Sequence, residues 1–257
     1  MVLAFDIGNS DITIGVYKDN AWKHTWRVPS QAELPEMFYA MKVREYFLED
    51  RIALDEVSRV VISSVVPDLT GKLVHAARTL FEKDPLVLGP AVYEKLSIKV
   101  LRPYEIGSDL VCNAFAAYTF FQRSCVVVDF GTALTFTTLS QDGEILGVSI
   151  APGLKTAIKS LSQNTAKLFD VPLVMPASVL GRGTVHAIQA GVLVGYEGMV
   201  KHMLHRIRVE LNDDSLKSVA TGGLSSIIPS LKETFDHIDP NLTLNGLRLI
   251  GEVFAKK

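Results

Sequence analysis

The sequence predicts an α/β protein built from two similar halves. Two observations carry this. First, one pattern occurs twice: an apolar run ends in an acid, a glycine and polar residues follow, and a second apolar run begins at once. It reads Val2-Leu3-Ala4-Phe5-Asp6-Ile7-Gly8-Asn9-Ser10 before residues 12–17, and Val126-Val127-Val128-Asp129-Phe130-Gly131-Thr132 before residues 134–139. Asp6 and Asp129 lie 123 residues apart, close to half of the 257-residue chain. Second, each copy opens the same succession of a β-meander followed by helices, which together imply duplication.

The elements follow in order. Apolar runs at 2–6, 11–17 and 21–28 predict a meander, with Lys18-Asp19-Asn20 as a hairpin turn. Residues 31–50 have helical spacing, with Leu34, Phe38, Met41, Tyr46 and Phe47 available for one side. Residues 59–65 are a short β-branched run, read as a buried strand, and Pro67 then opens a helix to about Phe81, since proline suits a first turn. Weak strands are expected at 85–88 and 97–101, and a helix rich in small residues at 107–121.

The second half predicts strands near 124–129, 132–140 and 143–150 and a helix opening at Pro152. A loop rich in proline and glycine covers 170–183, and a long helix runs from Thr184, its N-cap, to about Leu211. Ser218-Val219-Ala220 is a short strand entering Thr221-Gly222-Gly223, with a further helix after it and a last helix over 242–255. No Pro/Gly/Ser-rich linker separates the halves. The boundary is therefore placed inside the 107–121 helix, giving domains 1–115 and 116–257 with a cleft between them.

Composition narrows the class. At 48% hydrophobic residues and a net charge of −2, the chain is that of a folded protein. No basic block suggests a nucleic-acid partner, and no acidic tail suggests a disordered arm. Cys112 and Cys125 lack metal-ligand spacing and form no disulfide framework, which fits a reducing compartment. The N-terminus enters a strand directly, without the marks of a secretory signal. No apolar run approaches the about 18 residues of a membrane span. The expectation is a cytoplasmic protein without a membrane partner.

The doubled pattern points to phosphate chemistry. An acid at a strand tip with a glycine turn behind it makes a small polar pocket, and glycine lets backbone N–H donors come close to a phosphate. Asp6 can hold Mg²⁺ directly or through water, because that ion keeps several waters and needs few carboxylates. Asn9, Ser10 and Thr132 add neutral donors. One Asp-x-Gly alone would read as an ordinary turn; two, each between apolar runs, favour two facing pockets for a metal-bound polyphosphate. Neither a P-loop nor a Rossmann glycine pattern is present. Thr221-Gly222-Gly223 reads equally as a turn or as a flat seat for a nucleoside. Asp109, at a predicted helix start, reads equally as a base for an attacking hydroxyl or as a carboxylate complementing the helix dipole. The glycines of residues 187–199 (Gly191, Gly195, Gly198) fit core packing or a close-packed dimer helix.

These residues also carry a family resemblance. Asp6-Ile7-Gly8-Asn9-Ser10 with Gly15 resembles the first phosphate motif of type III pantothenate kinases, and Asp129-Phe130-Gly131-Thr132-Ala133 with Thr135 resembles their second. Gly147-Val148-Ser149-Ile150-Ala151-Pro152-Gly153, Asn164-Thr165-Ala166-Lys167-Leu168, Thr184 with Ala187-Ile188-Gln189-Ala190-Gly191, and Thr221-Gly222-Gly223 are similar to further segments of that family, in order along the chain.

The resemblance implies the duplicated ribonuclease H-like fold of the actin-like ATPases, with ATP in the cleft. It implies ATP-dependent phosphorylation of pantothenate to 4′-phosphopantothenate, the first step of coenzyme A synthesis, by a homodimer using Mg²⁺ and a monovalent cation, K⁺ or NH₄⁺. By matched position, Asp6, Ile7, Gly8, Asn9, Ser10, Asp11, Ile12, Thr13 and Thr132 would contact ATP. Asp109 would accept the proton, Gly107, Ser108, Asp109, Leu110 and Thr184 would meet the substrate, and Asp129 would bind the monovalent cation.

Two positions depart from the family pattern. Leu110 stands where an arginine is usual, and Val100 where a tyrosine is usual. Arg102 and Tyr104 are the expected substitutes from shifted positions. The departures keep two other readings in view: a kinase of the same fold acting on another small hydroxylated substrate, and a nucleotide-binding regulator without catalysis.

Overall fold

The computed structural model describes residues 1–255. Its first sheet contains β1 (Val2–Ile7), β2 (Asp11–Lys18), β3 (Ala21–Pro29), β4 (Arg59–Ser64) and β5 (Leu86–Val87), in the order β3-β2-β1-β4-β5. The second contains β6 (Cys125–Phe130), β7 (Ala133–Leu139), β8 (Ile145–Pro152), β9 (Lys217–Thr221) and β10 (His237–Ile238), in the order β10-β9-β6-β7-β8. Taken from the meander edge, the two orders are the same. In each, the first strand pairs antiparallel with the second and parallel with the fourth. The duplication expected from the repeated motif is therefore a duplication of topology.

The first sheet forms where β-branched and aromatic residues alternate with the two-residue period of a strand. Leu3, Phe5 and Ile7 of β1 enter a core with Ile12, Ile14 and Val16 of β2, which leaves Ala4 and Asp6 for the opposite face. The turn joining β2 to β3 has Asp19 at φ 50° and Asn20 at φ 57°, two left-handed residues in succession as a tight hairpin requires. Helix α1 (Glu36–Glu49) places Tyr39, Val43 and Phe47 on this core, and α2 (Pro67–Phe81) places Leu69, Leu73, Ala77 and Phe81 there. Each large side chain so buried contributes about 1.5–3 kcal/mol. Pro35 holds α1 back from the 31–50 start expected from spacing, and Pro67 opens α2 as expected. A short α3 (Pro90–Tyr93) and then α4 (Ser108–Phe121) follow. Residues 97–101 form no strand of either sheet.

In the second sheet Val126, Val128 and Phe130 of β6 face a core with Leu134 and Phe136, covered by helices. These are α5 (Leu154–Asn164), α6 (Thr184–Gln189), a π-helical turn at Ala190–Val194, and α7 (Gly195–Leu211). Three expectations are corrected. Pro152 ends β8, and the helix begins at Leu154. Gly183, not Thr184, is the N-cap of α6, and no side chain caps it. Between Gly223 and β10 there is no α-helix but a 3₁₀ helix, Pro229–Thr234, because Pro229 interrupts the segment.

The chain divides by contact into two compact units, residues 1–116 with everything from Leu242 onward, and Ala117–Asn241. By this division the last helix, α8 (Leu242–Val253), belongs to the first unit, whereas the sequence placed it in a second domain running from 116 to 257. It packs on β1 and β4, on the face opposite α1 and α2, with Gly251 against Val61. Its apolar stripe, Leu242, Leu244, Leu247 and Ile250, needs an apolar sheet face, and the Ala4–Val61 side of the first sheet supplies one.

Candidate active site

In the first unit, Asp6 sits one residue before the end of β1. Its register partners are Thr13 on β2 and Ser63 on β4, so hydroxyls flank the acid on both sides. Ile7 and Ile12, the last pair before the turn, are fully buried. They anchor the turn, and only their backbone is available to a ligand. Between them Asn9, Ser10 and Asp11 are exposed. The turn is held by the Gly8 N–H donating to the Asp11 carbonyl at 3.0 Å and by the Ser30 hydroxyl donating to the Gly8 carbonyl at 2.6 Å.

The start of α4 brings Asp109 to the same region. Ser108 is buried, and its hydroxyl lies 2.8 Å from the Ser63 hydroxyl, accepts from the Ser64 N–H at 2.9 Å and donates to the Ser64 carbonyl at 3.0 Å. This clamp fixes the helix start to the end of β4 and occupies the Ser108 hydroxyl, which the sequence had offered to the substrate. Asp109 accepts the Leu110 N–H at 2.8 Å, and a side chain at Gly107 would collide with its Oδ1. Burial pushes the Asp109 carboxyl above the usual aspartate range, against the lowering effect of that backbone donor. Behind it lies Cys112, fully buried. Its thiol is pushed well up by burial and then by the charges of Asp6 and Asp109, while Ser63 hydrogen-bonds to it. Asp6 and Asp109, 103 residues apart in sequence, thus both act on one thiol through their charge. The Tyr93 phenol is pushed up as well, by burial and by the neighbouring Cys112 and Asp109. Sequence reasoning missed Ser63, Ser64, Cys112 and Tyr93. The two serines ending an otherwise β-branched strand were the one legible signal.

Leu110 is half-buried beside Asp109. Arg102 does not turn toward the helix start: its guanidinium pairs with Glu105 at 3.1 Å, and its side chain is 76% exposed. Tyr104 is 88% exposed. Within the first unit neither replaces the missing arginine or tyrosine.

In the second unit the acid row repeats. Asp129 lies one residue before the end of β6, opposite Thr135 of β7 and Thr221 of β9. Its turn is shorter. Gly131 N–H donates to the Ala133 carbonyl at 3.1 Å, and the Thr132 carbonyl accepts from Gly153 N–H at 3.0 Å and from the Thr156 hydroxyl at 2.7 Å. Thr132 is exposed, with the start of α5 packed behind its backbone. Gly222 has φ +88°, and a Cβ there would fall 2.5 Å from Asp129 Oδ1. The Thr-Gly-Gly turn therefore exists to let backbone pass close to that carboxylate. Thr184 lies elsewhere in this unit, exposed, on an open groove of about 740 Å³ lined by Leu161, Leu168, Arg182, Ile188 and Val192.

Comparison with known proteins settles the family. A family model described as type III pantothenate kinase matches residues 2–206. A type III pantothenate kinase of Geobacter sulfurreducens is 37% identical over 252 residues, covering 98% of this chain and 98% of its own. The chain belongs to the type III pantothenate kinase family. Among solved structures, a putative 2-dehydro-3-deoxygalactonokinase from Sinorhizobium meliloti is 12% identical with a TM-score of 0.58, covering 97% of this chain and 95% of its own. MreB 5 of Spiroplasma citri, bound to AMPPNP, is 11% identical with a TM-score of 0.54, covering 99% and 97%. These likenesses concern the fold: a duplicated ribonuclease H-like, actin-like ATPase architecture, as the sequence implied.

The residues present fit the groups this family implies. Among the described residues no three His, Cys, Asp or Glu side chains gather as a metal cluster, and Mg²⁺ needs only one or two carboxylates plus phosphate oxygens. The Asp129 row offers a carboxylate and, at Thr135, a buried hydroxyl oxygen without a hydrogen-bond partner, donors suited to a hard cation. No described helix is long and apolar enough to cross a membrane.

Proposed function

We propose that this kinase phosphorylates the primary hydroxyl of pantothenate from ATP, with Asp109 accepting the hydroxyl proton. The observation that carries the assignment is geometric: Asp6, which opens the first phosphate loop, is paired with Ser63, whose hydroxyl lies 2.8 Å from that of Ser108, the residue before Asp109, and burial holds the Asp109 carboxyl in a more basic state than an ordinary aspartate. Asp6 through Thr13 form the first phosphate loop and Thr132 belongs to the second, with Asp6 serving Mg²⁺ and Asp129 a monovalent cation. Bound cations neutralise the charge that develops on the transferred phosphoryl group. The protein's own work is positional: the Ser108 clamp fixes Asp109, the glycine turns admit phosphate, and Thr184 meets pantothenate at the groove.

Two copies of the chain form the working enzyme in this reading. Leu146, Ile150, Phe169, Val174, Val179 and Leu180 of the second unit are exposed apolar side chains, of the kind a partner would cover. The setting is cytoplasmic, where the free thiols Cys112 and Cys125 stay reduced. ADP release, measured with and without pantothenate and with and without K⁺, tests the reading. Stimulation that needs both is the expected result. Stimulation by other hydroxy acids but not by pantothenate would move the assignment to another small alcohol. ATP binding with no acceptor-stimulated release would make the chain a nucleotide-binding regulator.

A further inference from the structure

Two hydroxyl oxygens of β7, Thr135 Oγ1 and Thr137 Oγ1, are buried without a hydrogen-bond partner. Buried polar atoms are normally satisfied, so each invites an account. Their rows differ. Thr137 stands opposite Val127, an apolar neighbour, and nothing in the structure explains its hydroxyl. Thr135 stands opposite Asp129. Directly paired residues on neighbouring strands share one face with Cβ atoms about 5 Å apart, so the hydroxyl and the carboxylate lie side by side.

The corresponding row of the first unit sharpens the point. There Thr13, the counterpart of Thr135, is half-buried, and its partner on the next strand is Arg27, a fixed cation. In the second unit the partner of Thr135 on the next strand is Ile150. The row Ile150–Thr135–Asp129–Thr221 holds a carboxylate and two hydroxyls but no basic residue. A carboxylate with neutral hydroxyl oxygens beside it is a donor set that suits a singly charged cation.

We infer that the Thr135 hydroxyl is a ligand of the monovalent cation at Asp129. The inference rests on the proposed cation role of Asp129, and the test separates the two. Thermal unfolding is followed without nucleotide or pantothenate while KCl replaces choline chloride at constant ionic strength. The wild type gains stability with K⁺. Thr135→Val, which removes the oxygen and keeps the shape, raises the K⁺ midpoint about tenfold or more, the scale on which metal sites respond to loss of a supporting group. Thr135→Ser restores it, and Thr137→Val behaves as wild type. In choline alone Thr135→Val is at least as stable as wild type, because an unsatisfied hydroxyl has been removed. A Thr135→Val midpoint equal to that of wild type would overturn the Thr135 assignment alone. Lower stability of Thr135→Val in choline would also overturn it, by showing a structural partner. No K⁺ effect on the wild type, or an unchanged effect in Asp129→Asn, would overturn the cation reading with it.

Discussion

The two acid rows share a scaffold and differ in what surrounds it. Asp6 and Asp129 occupy the same strand position, each between hydroxyl residues at the same register. Around Asp6 the neighbours are titratable or hydroxylated: Ser63, Ser108, Asp109 and Cys112. At Asp129 the two flanking threonines are joined by close main chain, at Gly131 and Gly222. The parallel neighbour of the acid-bearing strand decides this. β4 ends in two serines that receive a helix carrying an acid, whereas β9 runs into two glycines that admit only main chain. Duplication kept the acid row, and what meets the end of the fourth strand sets the two copies apart: a buried helix start in the first, a glycine turn in the second.

The comparison breaks most decisively at Asp109. Asp109→Asn should lower kcat by 10²–10⁴-fold, the range for a general base, with ATP affinity retained. Wild-type turnover in that variant would return Asp109 to a helix-dipole role. Because burial raises its folded pKa above 3.8, the folded state holds a proton that the unfolded state has released. Stability therefore falls as pH rises through the window above 3.8, and stays lower beyond it. The melting temperature of Asp109→Asn relative to wild type should accordingly increase across that window, and the acid limb of kcat/KM for the wild type should lie above the ordinary aspartate range.

Gly222→Ala comes next. It forces a Cβ onto Asp129 Oδ1 at φ +88° and should cost about 1–3 kcal/mol, seen as a melting point lower by several degrees. Gly131→Ala, with its nearest contact at 3.4 Å, should cost less, and equal losses would show that the carboxylate is not wedged against Gly222. Ser108→Ala leaves Ser63 and the Ser64 N–H short of a buried partner, for about 1–3 kcal/mol of stability. If Ser108 positions Asp109, kcat falls while the pantothenate KM holds; a change in KM alone would give the hydroxyl back to the substrate. The smallest effect is at Arg102→Ala. An exposed pair contributes about 0–1 kcal/mol, so stability and the pantothenate KM should barely move.

The sequence showed the first row better than the company it keeps. Asp6, Gly8, Asp129 and Gly131 were readable because strand, acid and glycine are consecutive, and consecutive residues keep their neighbours in any fold. The doubled meander was readable for the same reason. Ser63 and Cys112 were not, because their value comes from a strand and a helix meeting across 49 residues. Arg102 failed in the opposite way: its type suited an anionic substrate, but Glu105, one turn on, claimed it. The early start given to α1 and the helix given after Gly223 failed where Pro35 and Pro229 intervened, a local rule that outweighs apolar spacing.

The packing of α8 on β1 and β4 has a consequence for synthesis. Residues 117–241 are continuous and can complete their sheet as soon as they emerge. The first unit cannot, since a wall of its core arrives only with Leu242. At about 5–20 residues per second, a nascent chain waits on the order of ten seconds with the Ala4–Val61 face uncovered. The half that is made first is the half that is finished last.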